Sequence, residues 1–257
     1  MKPYYIVDFS AVNCLIDIRV NDVSVFCMNI DGQVSTIVPA NNAILESGKQ
    51  RVTYNILPLL GEFSLRNNTS FSASVWLYDT SGDTIVANKE ITKFEMPENK
   101  TGISLPLYKG EDVFFAEVPY KLHAWQNSQD LSKIEDLKAL VYSTYRKLEA
   151  IINNGQYEQF ANMIQKREEN IATCMYLSEE EKKGRITELV GIIQTGFKIV
   201  PVSEKDIMIV FGNDKLVALR KLDGNTALLL RNEKTEEELG LEVQFHLEQG
   251  KTELSII

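Results

Sequence analysis

The feature that most constrains the fold is a change of hydrophobic period near residue 128, from about two residues to about 3.6. Before it, from Tyr4 to Pro119, short runs rich in Val, Ile, Phe and Tyr are separated by Asn, Gly, Asp and Pro clusters, which is the pattern of strands joined by turns. Strands are predicted over Val12–Val20, Val23–Ile30, Val34–Val38, Arg51–Leu57, Phe71–Tyr78, Thr84–Phe94, Ile103–Leu107 and Val113–Val118. Asn21 and Asp22, between the first two, tolerate the positive φ of a two-residue hairpin turn. In the fifth, alternation puts Phe71, Ala73, Val75 and Leu77 on one face. Strands in this number with regular turns predict an antiparallel β-sandwich.

Beyond the boundary, Ser132 and Glu135 have the spacing of a capping box, and Leu137, Val141, Tyr145, Leu148 and Ile152 continue one apolar stripe. Asn153-Asn154-Gly155 supplies a left-handed cap. A second helix is predicted over Gln156–Met175, with Tyr157, Phe160, Met163, Ile164 and Ile171 inward. Ser178 and Glu181 repeat the capping box and begin a third, through about Gln194. Strands then return over Phe197–Pro201, Lys205–Phe211, Lys215–Leu222, Thr226–Arg231, Leu241–Leu247 and Thr252–Ile257, with Asn232–Gly240 an acidic loop. The expected fold class is a two-domain α+β chain: a β-sandwich over residues 1–127, then three helices and a curved antiparallel sheet over residues 128–257.

Charge and composition narrow the function. Lys and Arg number 27 against 36 Asp and Glu, a net charge of −9, and no basic patch offsets it: Lys182, Lys183 and Arg185 directly follow Glu179, Glu180 and Glu181. Nucleic acid and anionic membrane are therefore not expected partners. Asp8, Asp17 and Arg19 interrupt the N-terminal apolar run, so neither a signal-peptide core nor a membrane span is expected. Cys14, Cys27 and Cys174 are an odd number without metal spacing, expected as reduced buried thiols, with a Cys14–Cys27 disulfide or a reactive thiol as the alternatives. Both features point to a cytoplasmic protein.

Nucleotide, hydrolase, zincin and Cys-x-x-Cys motifs are absent, and no cofactor, metal or catalytic residue is expected. Asp79-Thr80-Ser81-Gly82-Asp83 lacks the remaining ligands of a calcium loop and reads as a turn. Of the two histidines, His123 is expected in the linker at the domain junction, and His246 alternates with Phe245 and Leu247, facing solvent or a pocket. The run Glu233-Lys234-Thr235-Glu236-Glu237-Glu238 is either a solvated loop or a patch for a basic protein; Glu233, Glu236, Glu237 and Glu238 are the candidate partner-binding residues.

The order of three helices and a meander whose last strand follows Gln249-Gly250-Lys251-Thr252-Glu253-Leu254 resembles the NTF2-like (SnoaL-like, cystatin-type) α+β cone. The first half resembles bacterial β-sandwiches in the layout of Asn42–Gln50 and Arg51–Pro58. The resemblance implies a cone with Tyr142, Tyr145 and Tyr157 able to reach its interior, each expected with its hydroxyl at the rim of an otherwise apolar pocket. It also implies dimerisation through the C-terminal sheet. With the acidic charge and missing motifs, it leads to a non-enzymatic, protein-binding function, in its most concrete form a bacterial immunity protein that neutralises a toxin or effector. The alternatives are an NTF2-like small-molecule carrier or enzyme that uses His246 or a tyrosine, and a structural assembly module. A pocket with convergent polar groups would favour the small-molecule reading.

Overall fold

A computed structural model describes residues 2–82, 86–99 and 103–257. The chain is α+β and divides into two compact units, Met1–Leu122 and His123–Ile257, so the division falls five residues before the expected one. Among the described residues, no helix is long and apolar enough to cross a membrane.

The first unit is built on two long strands, β1 (Pro3–Val20) and β2 (Val23–Pro39). Asn21 and Asp22 join them at φ 50° and 65°, the left-handed turn their side chains tolerate. The two strands expected at Val23–Ile30 and Val34–Val38 are therefore one. β3 (Gly48–Leu57), β4 (Ser70–Asp79), β5 (Val86–Glu95) and β6 (Tyr108–Ala116) complete an antiparallel sheet. Ile103–Leu107 is not a strand. Asp79 accepts from the Ser81 amide at 3.0 Å, as in the expected turn; Asp83 and Thr84, also assigned to that turn and the next strand, lie outside the described residues.

The curl of this sheet originates at Asn13. One edge of β1 pairs with β4 over Pro3–Val12 and with β3 over Leu15–Val20, while the other edge pairs with β2 along nearly its whole length. Between the two segments Asn13 takes φ 52°, the β1–β2 register slips, and Asn13 Oδ1 accepts the Gly32 amide at 2.9 Å. Such a bulge bends a strand. It turns the β4–β5 arm to face the β3–β6 arm, as the rings record: Tyr54 of β3 lies 5.2 Å from Phe71 of β4 and 4.9 Å from Phe94 of β5. Phe94 also rests on the backbone of β6 at Gly110, where an added Cβ would come within 2.2 Å of its ring.

All three cysteines are unoxidised. Cys14 stands opposite Ile30 and Cys27 opposite Asp17, so the alternative disulfide does not form. Burial pushes the Cys14 thiol up to about 11 and Cys174 up to about 12; Cys27 is half-buried rather than buried.

In the second unit the expected capping box at Ser132 does not form. Asp130, two residues earlier, takes both the Ser132 amide (3.1 Å) and its hydroxyl (2.5 Å), which makes a 3₁₀ turn over Leu131–Lys133. Helix α1 (Leu137–Asn153) starts only after Asp136 at φ 52°, and it ends at Gly155 with φ 73°, as expected. Helix α2 (Tyr157–Cys174) follows. Helix α3 (Glu179–Gln194) opens with both halves of the Ser178/Glu181 capping box in place.

The sheet after the helices is present as two antiparallel sheets. β7 (Phe197–Ile199), β10 (Leu229–Asn232) and β11 (Glu237–Gly240) form one; β8 (Ile207–Phe211), β9 (Leu216–Arg220), β12 (Phe245–His246) and β13 (Ser255–Ile256) form the other. Helices and sheets enclose one core in which Tyr145, Leu148, Phe160, Leu228 and Phe245 are buried. Tyr145 does not have its hydroxyl at a rim: it is 1% exposed, and its oxygen accepts the Leu219 amide at 2.9 Å. Tyr142 is 8% exposed, with its hydroxyl within hydrogen-bond distance of Ser203 O and Asp206 O. On α2 the expected apolar face contains a charge: Glu168, 3% exposed, is paired with Arg167 and with Arg185 of α3, the latter at 2.7 Å.

Two substitutions test this packing. Gly110→Ala is expected to destabilise the protein by about 1–3 kcal/mol in urea unfolding, because Phe94 must leave its rotamer. Tyr145→Phe is expected to cost about 1–3 kcal/mol, because the buried Leu219 amide loses its only side-chain acceptor.

Candidate functional site

Alternation along β12 separates two environments. Phe245 and Leu247 point into the core, Phe245 meeting Tyr145 edge-on at 5.1 Å, and His246 points the other way. His246 nevertheless is 5% exposed, because the segment from Trp125 to Leu131 is lashed across that face. Gln129 donates its amide to Leu247 O (2.8 Å) and its side chain to Glu248 O and Lys251 O. The Leu131 amide reaches Asp214 O, and Lys215 Nζ reaches Ser128 O. These bonds hold the Ser128 hydroxyl 2.7 Å from His246 Nδ1.

The face opens into a cleft of about 760 Å³ within the second unit. The 123–128 segment contributes His123, Asn127 and Ser128; α1 contributes Lys147; α2 contributes Gln159, Asn162, Met163 and Lys166. The chain from His246 onward contributes Glu248, Gln249 and Glu253 together with Leu254 and Ile256. This cleft is lined by charged groups, carboxamides and two histidines. His123 and His246, assigned to different domains from sequence, belong to the same unit and line the same cleft. Tyr142, Tyr145 and Tyr157 do not line it.

Electrostatics inside the cleft are balanced by two lysines and two glutamates. Lys147 Nζ meets Glu253 Oε2 at 2.7 Å and holds that carboxyl below the usual range. His246 is pushed the other way from a paired histidine: burial lowers its pKa, and Glu248, 3.9 Å from Nε2, only partly opposes this. Burial therefore favours the neutral ring. Its Nδ1 is occupied by Ser128 in either tautomer, donating to or accepting from the hydroxyl. Nε2 is beyond hydrogen-bond distance of Glu248 and has no hydrogen-bond partner among the described residues. Ser128 is 3% exposed and lines the cleft beside the ring, whose orientation its hydroxyl sets. Among the described residues no group of three or more His, Cys, Asp and Glu side chains is placed to hold a metal ion.

The acidic run lies elsewhere. Glu233 and Glu236 are in the four-residue turn between β10 and β11; Glu237 and Glu238 are strand residues, in place of the expected loop. All four are exposed, but Glu238 is paired with Arg231 across the ladder, and Glu237 accepts the Thr235 hydroxyl at 2.7 Å. None of them lines the cleft. Of the cleft residues, sequence reasoning had singled out His123 and His246; the alternation around His246 was the available signal. Ser128, Lys147, Gln159, Asn162, Lys166, Glu248 and Glu253 come from separate elements and shared no local pattern.

The histidine carries a pH signature. A group with a depressed folded pKa stabilises fully above its unfolded value of about 6.5, and that stability is lost as pH falls through the folded value. The expected outcome is an imidazole titration midpoint below about 6.5 by proton NMR. Between the two values unfolding free energy should fall by up to about 1.4 kcal/mol per pH unit, a slope that His246→Gln removes. No family model matches the chain, and no curated protein or solved structure matches it either.

Proposed function

We propose that the second unit binds a small polar molecule, neutral or zwitterionic, in the cleft around His246. The observation that carries this reading is His246, a cleft-lining ring whose Nδ1 is held by Ser128 at 2.7 Å while Nε2, 3.9 Å from Glu248, has no hydrogen-bond partner among the described residues. A ligand hydrogen bond to this atom would contribute about 0.5–1.5 kcal/mol. The equal numbers of lysines and glutamates disfavour a strongly charged ligand, Met163, Leu254 and Ile256 offer one apolar contact face, and the carboxamides of Asn127, Gln159, Asn162 and Gln249 suit hydroxyl, amide or carbonyl groups. Neutralisation of a basic toxin through Glu233, Glu236, Glu237 and Glu238 draws less support, because Glu238 and Glu237 already have partners on their own hairpin.

The test is ligand-observed NMR with a panel of small neutral and zwitterionic polar compounds beside anionic and cationic ones of equal size. Neutral or zwitterionic members are expected to bind, and His246→Phe, which keeps a ring but lacks Nε2, should weaken them about tenfold, the equivalent of one hydrogen bond. Binding confined to charged compounds, or unchanged in the variant, would refute the reading.

A further inference from the structure

A different surface, on the first unit, has a physical problem that a second molecule solves. β2 uses one edge to pair with β1, and among the described residues no strand pairs with its other edge. From Asp31 to Ile37 every residue is exposed except Val34, which is half-buried, and Ile37 is 52% exposed. Over Gln33–Val38 that edge has no strand partner among the described residues.

Native sheets protect such edges with charges, prolines or bulges. The other two terminal strands of the same sheet do so: β5 carries Lys89, Glu90, Lys93 and Glu95, and β6 carries Lys109, Glu111 and Asp112. In β2 the segment Gln33-Val34-Ser35-Thr36-Ile37-Val38 has no charge, no proline and no glycine, and it is rich in β-branched residues. The strand's one acid, Asp31, precedes the segment and is paired with Arg66 at 2.9 Å, and its proline is the last residue. Uncharged β-branched segments of this length are self-pairing segments when exposed.

We propose that the Gln33–Val38 edge pairs with the same edge of a second copy of this chain, antiparallel about a two-fold axis. Charge selects a second copy and this surface together. With a net charge of −9, two copies repel each other over most of their surfaces, yet here neither strand brings a charge to the contact. The two-fold arrangement uses the same segment on both sides and closes after two molecules, which leaves neither edge open to further growth. The pairing is independent of the cleft around His246.

Ile37→Lys is the informative variant. Ile37 stands opposite Asp8 in the β1–β2 ladder, so a lysine there gains a cross-strand partner within the monomer but brings like charges together across the two-fold. Analytical ultracentrifugation of the full chain from micromolar to millimolar concentration should show a reversible monomer–dimer equilibrium. Hydrogen exchange should show the amides of residues 33–38 more protected at the high end. Ile37→Lys should weaken the dimer at least tenfold while its thermal midpoint, measured where both proteins are monomeric, is not lowered. A monomer across the whole range, or a dimer that forms without added protection of residues 33–38, would overturn the proposal.

Discussion

A polar group removed from water must find its partner inside the chain, and both units are organised around the places where side chains meet that requirement. In the first, Asn41, fully buried, accepts the Tyr5 amide at 2.7 Å and donates to Pro3 O, which fastens the turn after β2 to the start of β1. Asn13 does the same at the bend, tied to Gly32 through its side chain and accepting the Thr69 hydroxyl on its carbonyl. Without those bonds a left-handed residue in the middle of an 18-residue strand would be strain without compensation. With them, one continuous strand serves two arms of a curled sheet. Tyr54 Oη, Thr92 Oγ1 and Asp112 Oδ2 are buried close together near the Gly110 contact, and burial raises the Asp112 carboxyl, which Thr92 only partly opposes.

In the second unit the same requirement builds the cleft. Ser128 and His246 are 118 positions apart and satisfy each other because Gln129 and Leu131 tie the intervening backbone to the turns of the sheet. The arrangement fixes Nδ1 and leaves Nε2 without a hydrogen-bond partner among the described residues. Glu168 shows the opposite resolution: a buried carboxylate fully engaged by two arginines joins α2 to α3 and has nothing left to offer a ligand.

The sequence by itself determined the local grammar. The Asn21-Asp22 hairpin, the Ser178/Glu181 capping box, the Gly155 helix end and the three-helix-then-strand order were legible because each depends on residues within one turn or on a repeat of two or 3.6. Where local signals competed, proximity decided: Asp130 captured Ser132 before Glu135 could. The tertiary structure alone decided the bend at Asn13, the merging of two expected strands into β2, the placing of Glu237 and Glu238 in a strand, and the convergence of two histidines on a polar cleft. The physical reason is range. Hydrogen bonds within a turn are specified by neighbours, whereas a cleft is specified by which distant side chains the packed core brings together, and no periodicity in the chain encodes that.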